Sequence, residues 1–293
     1  MTDFTMTQDA QGIATLTWNC IGKSMNVMSF EALQQMNAMI DQALADEAVK
    51  GIILTSGKKD FAAGMDLNVL ADLRNAPGDN PAEGVFKGIQ SIHQIFRKIE
   101  RAGMDAKTNK GGKPIATVLP GTALGIGFEL PLATHRIFAA DNPKAKIGLP
   151  EILVGLFPGA GGTIRLVRKL GAMAAAPYLL EGKTLPPAKA KAAGLIDSVS
   201  ADPMADARAW VLNATAADLV KPWDQKGYKM PGGTPYHPSG FMTFIGASAM
   251  VHGKTQGAYP AAKALLSAVY EGAQVPFETA LKIEARWFTS VLM

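Results

Sequence analysis

The sequence predicts an α/β fold, and three observations carry that prediction. Short apolar, strand-like runs alternate with segments of helical period through residues 1–200. Glycine, 30 residues in 293, gathers where such runs end and follows no fixed repeat. A composition of 48% hydrophobic and 18% charged residues belongs to a chain that buries a core. A chain of this size buries roughly three quarters of its unfolded surface.

Residues 4–8 and 12–18 (GIATLTW) read as a hairpin closed by Asp9–Gly12. A loop containing Gly22 leads to a helix from about Ser29. Leu33, Met36, Ile40 and Leu44 form its buried stripe, and Glu31 sits in its first turn, where a negative charge suits the helix dipole. Val49–Ser56 is a short strong strand, and Met25, Met28, Met36 and Met39 read as core filling. GKKDFAAGMDL then leaves the strand, tightens at Gly64 and opens a helix at Met65, Asp66 and Leu67. Backbone N–H groups at such a turn lack helical partners and can face a ligand oxygen. Residues 72–88 are rich in Pro, Gly and Asn and read as a mobile loop. A helix follows from about Ile89 to Ala102, with Ile92, Ile95, Phe96 and Ile99 on its apolar face.

The stretch from Lys113 to Gly162 organises the chain. Strand IATVL runs into PGTALGIG, and a helix over 128–134 places Glu129 in its first turn. Gly125-Ile126-Gly127 can aim an amide N–H out of the fold. The spacing is not the dinucleotide fingerprint G-x-G-x-x-G. An extended segment at 146–149 leads to Pro150 and Glu151, which start a turn or helix. A tight turn over Gly155–Gly162 precedes a helix at 163–170, whose Arg165, Arg168 and Lys169 read as solvated or anion-facing. The bland readings of the two acids are a helix-start charge for Glu129 and a local cap or salt bridge for Glu151. His135 reads as structural, since nothing near it completes a nucleophilic triad and G-x-S-x-G is missing. Pro186 and Pro187 start a helix ending at Gly194, before a short strand. Beyond it come an amphipathic helix at 203–217, a Pro/Gly-rich irregular stretch, a small apolar segment at 241–252, and helices at 261–270 and 277–292.

A net charge of +4 and the lack of a basic-aromatic stripe argue against nucleic acid. Cys20 is the single cysteine, so no disulfide forms within the chain, and a reducing, cytoplasmic setting is expected. The N-terminal residues carry no secretory pattern, and no apolar run of about 18 residues predicts a membrane span. The four histidines show no zinc-ligand spacing, so no metal site is expected.

Several motifs coincide in order: DFAAGMD at 60–66, PGTALGIGFEL at 120–130, IGLPEILVGLFPGAGGTIRLVRKLG at 147–171 and KAAGLIDSV at 191–199. On these residues the chain resembles the crotonase (enoyl-CoA hydratase/isomerase) superfamily. The tail, with KPWDQKGYKMPGG and AVYEGAQVPFETALKIEARWFTSVL, resembles the segment that joins the hydratase region to a 3-hydroxyacyl-CoA dehydrogenase region in multifunctional β-oxidation subunits. The resemblance implies a ββα spiral core over 1–200 and a helical or irregular C-terminal segment over 201–293, in a fragment or a chain cut before its NAD-binding dehydrogenase region.

It also implies a function and its residues. An enoyl-CoA hydratase, with isomerase activity beside it, would hold the thioester oxygen on the N–H groups of Met65 and Ile126 and use Glu129 and Glu151 as acid and base. Glu129 would activate or hold water, and Glu151 would exchange a proton with the α carbon. Ala63, Gly64, Asp66, Leu67, Gly125, Pro150 and Gly159 would line the substrate. Lys58, Lys59, Lys282 and Arg286 are candidates for the coenzyme A phosphates. Coenzyme A enters as part of the substrate, with no tightly bound cofactor. The implied partners are the acyl-CoA thioester, further copies of the chain or a linked dehydrogenase region, and a thiolase. The alternatives are a crotonase-type hydrolase or decarboxylase, and a non-catalytic acyl-CoA-binding domain.

Overall fold

The computed structural model describes residues 2–74 and 80–293. In chain order the elements are β1 (Phe4–Gln8), β2 (Ile13–Trp18), α1 (Phe30–Ala45), β3 (Gly51–Ser56), α2 (Leu67–Arg74), α3 (Pro81–Arg101), β4 (Ile115–Leu119), β5 (Ala123–Leu124) and α4 (Ile126–Ala133). They continue with β6 (Arg136–Ala140), β7 (Ile147–Gly148), a 3₁₀ turn (Pro150–Val154), α5 (Gly162–Leu170), α6 (Ala172–Leu180), α7 (Pro187–Ala192) and β8 (Ser198–Ser200). The chain ends with α8 (Pro203–Asn213), α9 (Ala216–Leu219), α10 (Pro238–Thr255), α11 (Pro260–Gly272) and α12 (Phe277–Leu292). Among the described residues no helix is long and apolar enough to cross a membrane. The chain divides into two compact units, the first made of Met1–Val69, Ile95–Ile147 and Leu185–Lys221, the second of Leu70–Gln94, Gly148–Thr184 and Pro222–Met293.

The first unit is built on a six-stranded sheet in the order β1-β2-β3-β4-β6-β8. β1 and β2 form the expected antiparallel hairpin, and the Asp9 carboxylate holds the turn by accepting from Gln11 N (2.8 Å) and Ile13 N (3.1 Å). From β2 onward every pair is parallel, with Ile13 opposite Gly51, Ile52 opposite Ile115, Ala116 opposite Arg136 and Phe138 opposite Ser198. Parallel strands are covered on both faces, which is why IATVL is buried throughout. α8 covers one face through Ala207 and Val211, packed with Ile13, Ile53, Val118 and Phe138. Each of the Val, Ile and Phe side chains among them contributes about 1.5–3 kcal/mol when fully buried.

α1 begins where the sequence places it. Ser29 accepts from Ala32 N (3.0 Å), and Leu33, Met36 and Ile40 are buried, with Ala43 rather than the half-buried Leu44 closing the stripe. The loop before α1 is fixed by Asn26, which is fully buried. Its Oδ1 accepts from Cys20 N (2.9 Å), and its Nδ2 donates to Trp18 O (3.0 Å), Ser56 Oγ (3.0 Å) and Phe61 O (2.9 Å).

The second unit is helical. Ile164, Phe277, Ala280 and Leu281 form its buried centre, against which Trp223 stacks on Phe277 at 5.1 Å. Two expectations are corrected here. Arg165 is fully buried instead of solvated, donating to Ala160 O with its guanidinium 5.6 Å from the Phe277 ring centre. Arg168 donates to Gly272 O (2.9 Å) and Val275 O (2.5 Å), tying the end of α11. α3 also starts at Pro81, so most of the segment expected to be loop up to residue 88 is helical, while 75–79 lie outside the described residues. Val85, Ile89, Ile92, Phe96 and Ile99 are all buried, and that unbroken stripe outweighs the roughly 1 kcal/mol that each of Gly84 and Gly88 costs in a helix.

Asn26→Ala strands the Cys20 N–H and the Phe61 carbonyl, while Trp18 O and Ser56 Oγ keep Gly57 N and Lys58 N as donors. It is expected to lower stability by about 2–4 kcal/mol in urea unfolding, with an unchanged m value.

Candidate functional site

In the first unit, two backbone segments run side by side. Ala62 forms a parallel bridge with Ala123, and Leu124 N donates to Ala62 O (3.0 Å). Counting forward from that bridge, Met65 and Ile126 occupy matching positions, each three residues on. Met65 itself bridges Met28, through Met28 N to Gly64 O (2.9 Å) and Asp66 N to Met28 O (3.0 Å). These bonds use the groups on either side of Met65, and among the described residues its own N–H makes no backbone bond. Ile126 is the first residue of α4, so its N–H has no intrahelical partner. Among the described residues, neither the Met65 nor the Ile126 N–H is given a backbone acceptor, and each lies three residues past its partner in the Ala62–Ala123 bridge.

The close approach depends on Gly127. A Cβ there would lie 2.5 Å from the Ala62 Cβ and 3.2 Å from its carbonyl oxygen. Gly125 caps α4 with φ 58°, a conformation that favours glycine, and its carbonyl accepts from Glu129 N (2.9 Å). Glu129 lies in the first turn of α4 and is buried at 2% exposure. The end of α4 is held by Lys221, whose Nζ donates to Leu132 O (3.1 Å) and Thr134 O (2.5 Å). His135 is structural, as expected: its Nδ1 accepts from Ile115 N (2.9 Å). Burial, then the Lys221 charge, pushes its pKa down to about 3.

The other first-unit candidates divide by what they touch. Ala63 N donates to Asn26 O (2.9 Å), and Ala63 is exposed. Leu67 opens α2. The Asp66 carboxylate is taken by Lys23 at 2.5 Å and by Asn68 N at 3.0 Å, and the Lys23 hydrogen bond holds it below the usual carboxylate range. Lys58 donates to Lys23 O (2.7 Å), while Lys59 is exposed.

In the second unit, Pro150 starts the 3₁₀ turn that carries Glu151. The residue is part-exposed, yet its Oε2 is out of contact with solvent and has no hydrogen-bond partner among the described residues. Burial, with the Glu284 charge adding to it, raises the Glu151 pKa to about 8. Tyr259 donates from its hydroxyl to Ile152 O, which ties the turn to the start of α11. Gly159 is buried and its carbonyl accepts from His93 Nε2 (2.8 Å). Lys282 and Arg286 are exposed on α12, and Arg286 pairs with Glu271 and lies 5.3 Å from the Trp287 ring centre.

The sequence reading missed His93, Tyr259 and Glu284. A signal for Glu284 was present: it shares the apolar stripe of α12 with Leu281, Ala285 and Phe288, where an acid must have partners. His93 likewise lies beside Ile92 and Phe96 on the buried face of α3.

The profile of the enoyl-CoA hydratase/isomerase family matches residues 8–215. The chain belongs to that family. It is 31% identical over 291 residues to the fatty acid oxidation complex subunit alpha of Shewanella amazonensis, covering 99% of this chain and 39% of that protein. The Shewanella loihica subunit is 32% identical, with the same coverage. The chain therefore spans about two fifths of the length of these relatives. Among solved structures, enoyl-CoA hydratase from Bacillus anthracis superposes with TM-score 0.58 at 22% identity, covering 99% of this chain and 91% of that one. The enoyl-CoA hydratase from Polaromonas sp. JS666 gives TM-score 0.61 at 21% identity and 84% coverage of both. The α/β crotonase fold, with its extensive C-terminal helical region, is thus established, and with it membership of a family acting on acyl-CoA thioesters.

The raised Glu151 pKa sets a stability cost. Between the ordinary carboxyl value of 4.5 and about 8, the unfolded chain releases this proton and the folded chain keeps it, so stability falls as pH rises. The slope is about 1.4 kcal/mol per pH unit at its steepest. Glu151→Gln is expected to unfold at higher temperature than the parent at pH 8 and nearly with it at pH 5, by calorimetry.

Proposed function

We propose that the chain hydrates trans-2-enoyl-CoA in fatty-acid β-oxidation and also shifts the double bond of 3-enoyl-CoA to position 2. The observation that carries this reading is the Glu151 carboxyl, with one oxygen desolvated and unpartnered and a pKa of about 8. Proton transfer at neutral pH is most efficient for a group titrating nearby. A carboxyl in a purely structural cap would have its oxygens satisfied.

The chemistry follows from the groups available. The Met65 and Ile126 N–H groups donate to the thioester oxygen, where charge builds as the enolate forms. Glu129 accepts a proton from water as its oxygen bonds to C3. Glu151, mostly a carboxylic acid below pH 8, delivers a proton to C2, completing addition of H and OH across the double bond. For isomerisation the Glu151 carboxylate removes a proton from C2 and the acid returns it to C4, so one group suffices. Ala63, Gly64, Asp66, Leu67, Gly125, Pro150 and Gly159 would border the substrate, with Asp66 acting through its Lys23 pair. Lys58, Lys59, Lys282 and Arg286 would meet the phosphates of coenzyme A.

The similarity to the Shewanella subunits supports a further reading. Residues 1–200 would be the hydratase core and 201–293 a segment resembling the connection to a dehydrogenase region. A cytoplasmic setting, self-association or linkage to a dehydrogenase region, and a thiolase partner belong to the same proposal.

Glu151→Gln is expected to lower hydration of crotonyl-CoA by about 10²–10⁴-fold, followed by loss of absorbance of the conjugated thioester, while thioester binding persists. Glu129→Gln should slow hydration more than isomerisation. Parent turnover should fall as pH rises through about 8. Normal turnover in Glu151→Gln, or equal losses of both activities in Glu129→Gln, would count against these roles.

A further inference from the structure

A buried acid outside the motif residues organises the second unit around Glu151. Glu284, on α12, has no exposed surface. Its Oε1 accepts from Gly161 N (2.5 Å) and its Oε2 from Ile164 N (3.0 Å), so it caps the start of α5 from 120 residues away in sequence. His93 Nε2 lies 3.1 Å from Glu284 Oε1 and 2.8 Å from Gly159 O. Both partners are acceptors, so Nε2 carries the hydrogen and donates.

The same helix closes on the turn by packing. A Cβ on Gly159 would lie 2.3 Å from the Phe288 ring, and one on Gly161 would lie 1.9 Å from Arg165 Nη1. Phe157 sets its ring against Phe288 at 5.7 Å, edge to face. The chain between this turn and Glu151 is short and internally bonded, with Leu156 N donating to Glu151 O (3.1 Å).

We propose that Glu284, oriented by His93, is a positioning residue for the Glu151 carboxyl. It fixes the Pro158–Gly162 turn that follows Glu151 and holds a negative charge toward that carboxyl. Among the described residues, the titratable and charged groups on the elements packed around the Glu151 turn and Glu284 include His93 on α3, Arg165, Arg168 and Lys169 on α5, Tyr178 on α6, Glu181 after it, Tyr259 before α11, and Glu278, Lys282 and Arg286 on α12 itself. Burial is the main cause of the raised proton affinity of Glu151, and the Glu284 charge adds to it. A role in turnover rests on the hydratase reading above; the electrostatic arrangement stands apart from it.

Glu284→Gln keeps the shape and removes the charge. The test is infrared difference spectroscopy of the carboxylic-acid band that Glu151→Gln deletes, followed against pH in the full chain, with crotonyl-CoA hydration measured alongside. The expected result is that the band titrates at lower pH in Glu284→Gln than in the parent. The alkaline limb of kcat should move the same way, and kcat should fall about tenfold with KM within about threefold. A band that titrates unchanged overturns the inference whatever the activity. A shifted band in a protein whose turnover survives Glu151→Gln instead overturns the hydratase reading, and the role in turnover with it. The His93 variants keep the test open if Glu284→Gln does not fold. His93→Gln retains a donor and should hold kcat within about twofold, whereas His93→Leu should lose about tenfold. Equal kcat in those two overturns the role of His93 and of the carboxylate it orients.

Discussion

A carboxyl oxygen taken out of water without a partner is costly, and among the described residues Glu151 Oε2 is such an atom. The cost is lowered by holding the proton, which is why the pKa rises to about 8. The surroundings maintain that state and do not relieve it. Tyr259 ties down the backbone next to Glu151, the following turn is locked by α12, and Glu284 spends its oxygens on Gly161 and Ile164. A protein selected only for stability would place a glutamine or an apolar residue there. The arrangement is physically sensible if the proton is to be moved.

The first unit meets a different requirement with backbone alone. An N–H can face a ligand only if the fold does not consume it, and both helix starts and bridge-flanked residues leave such groups over. Met65 lies between bridge-forming groups and Ile126 begins α4, each three residues past the Ala62–Ala123 bridge. The tolerance is set by Gly127, where a single methyl would collide with Ala62. Glu129, one turn farther along the buried helix, takes its place from the same anchoring.

Much of this was legible in sequence because it rests on local chemistry. The hairpin, the capped α1, the apolar β3 and β4, and the glycine turns before Met65 and Glu129 follow from period, turn residues and the helix dipole. The family resemblance supplied the pairing of those motifs with a reaction. What stayed hidden depends on contacts distant in sequence. α3 extends through Gly84 and Gly88 because its stripe is buried, which local breaker density conceals. Arg165 looks like a surface cation until Phe277 and the Ala160 carbonyl close over it. α10 reads only as a small apolar stretch, and it is a helix that leaves Phe241, Met242 and Ile245 exposed. Glu284 and His93 are 191 residues apart, so neither could be assigned a partner from spacing.

The proposed role of Glu151, and not of Glu129, is to exchange protons with the carbon next to the thioester. It is tested most directly with a saturated acyl-CoA, which cannot be hydrated, by following loss of its α-hydrogen signal in deuterium oxide by proton NMR. Exchange is expected with the parent and with Glu129→Gln, and none above background with Glu151→Gln. Exchange that survives in Glu151→Gln, or that disappears equally in both variants, would contradict it.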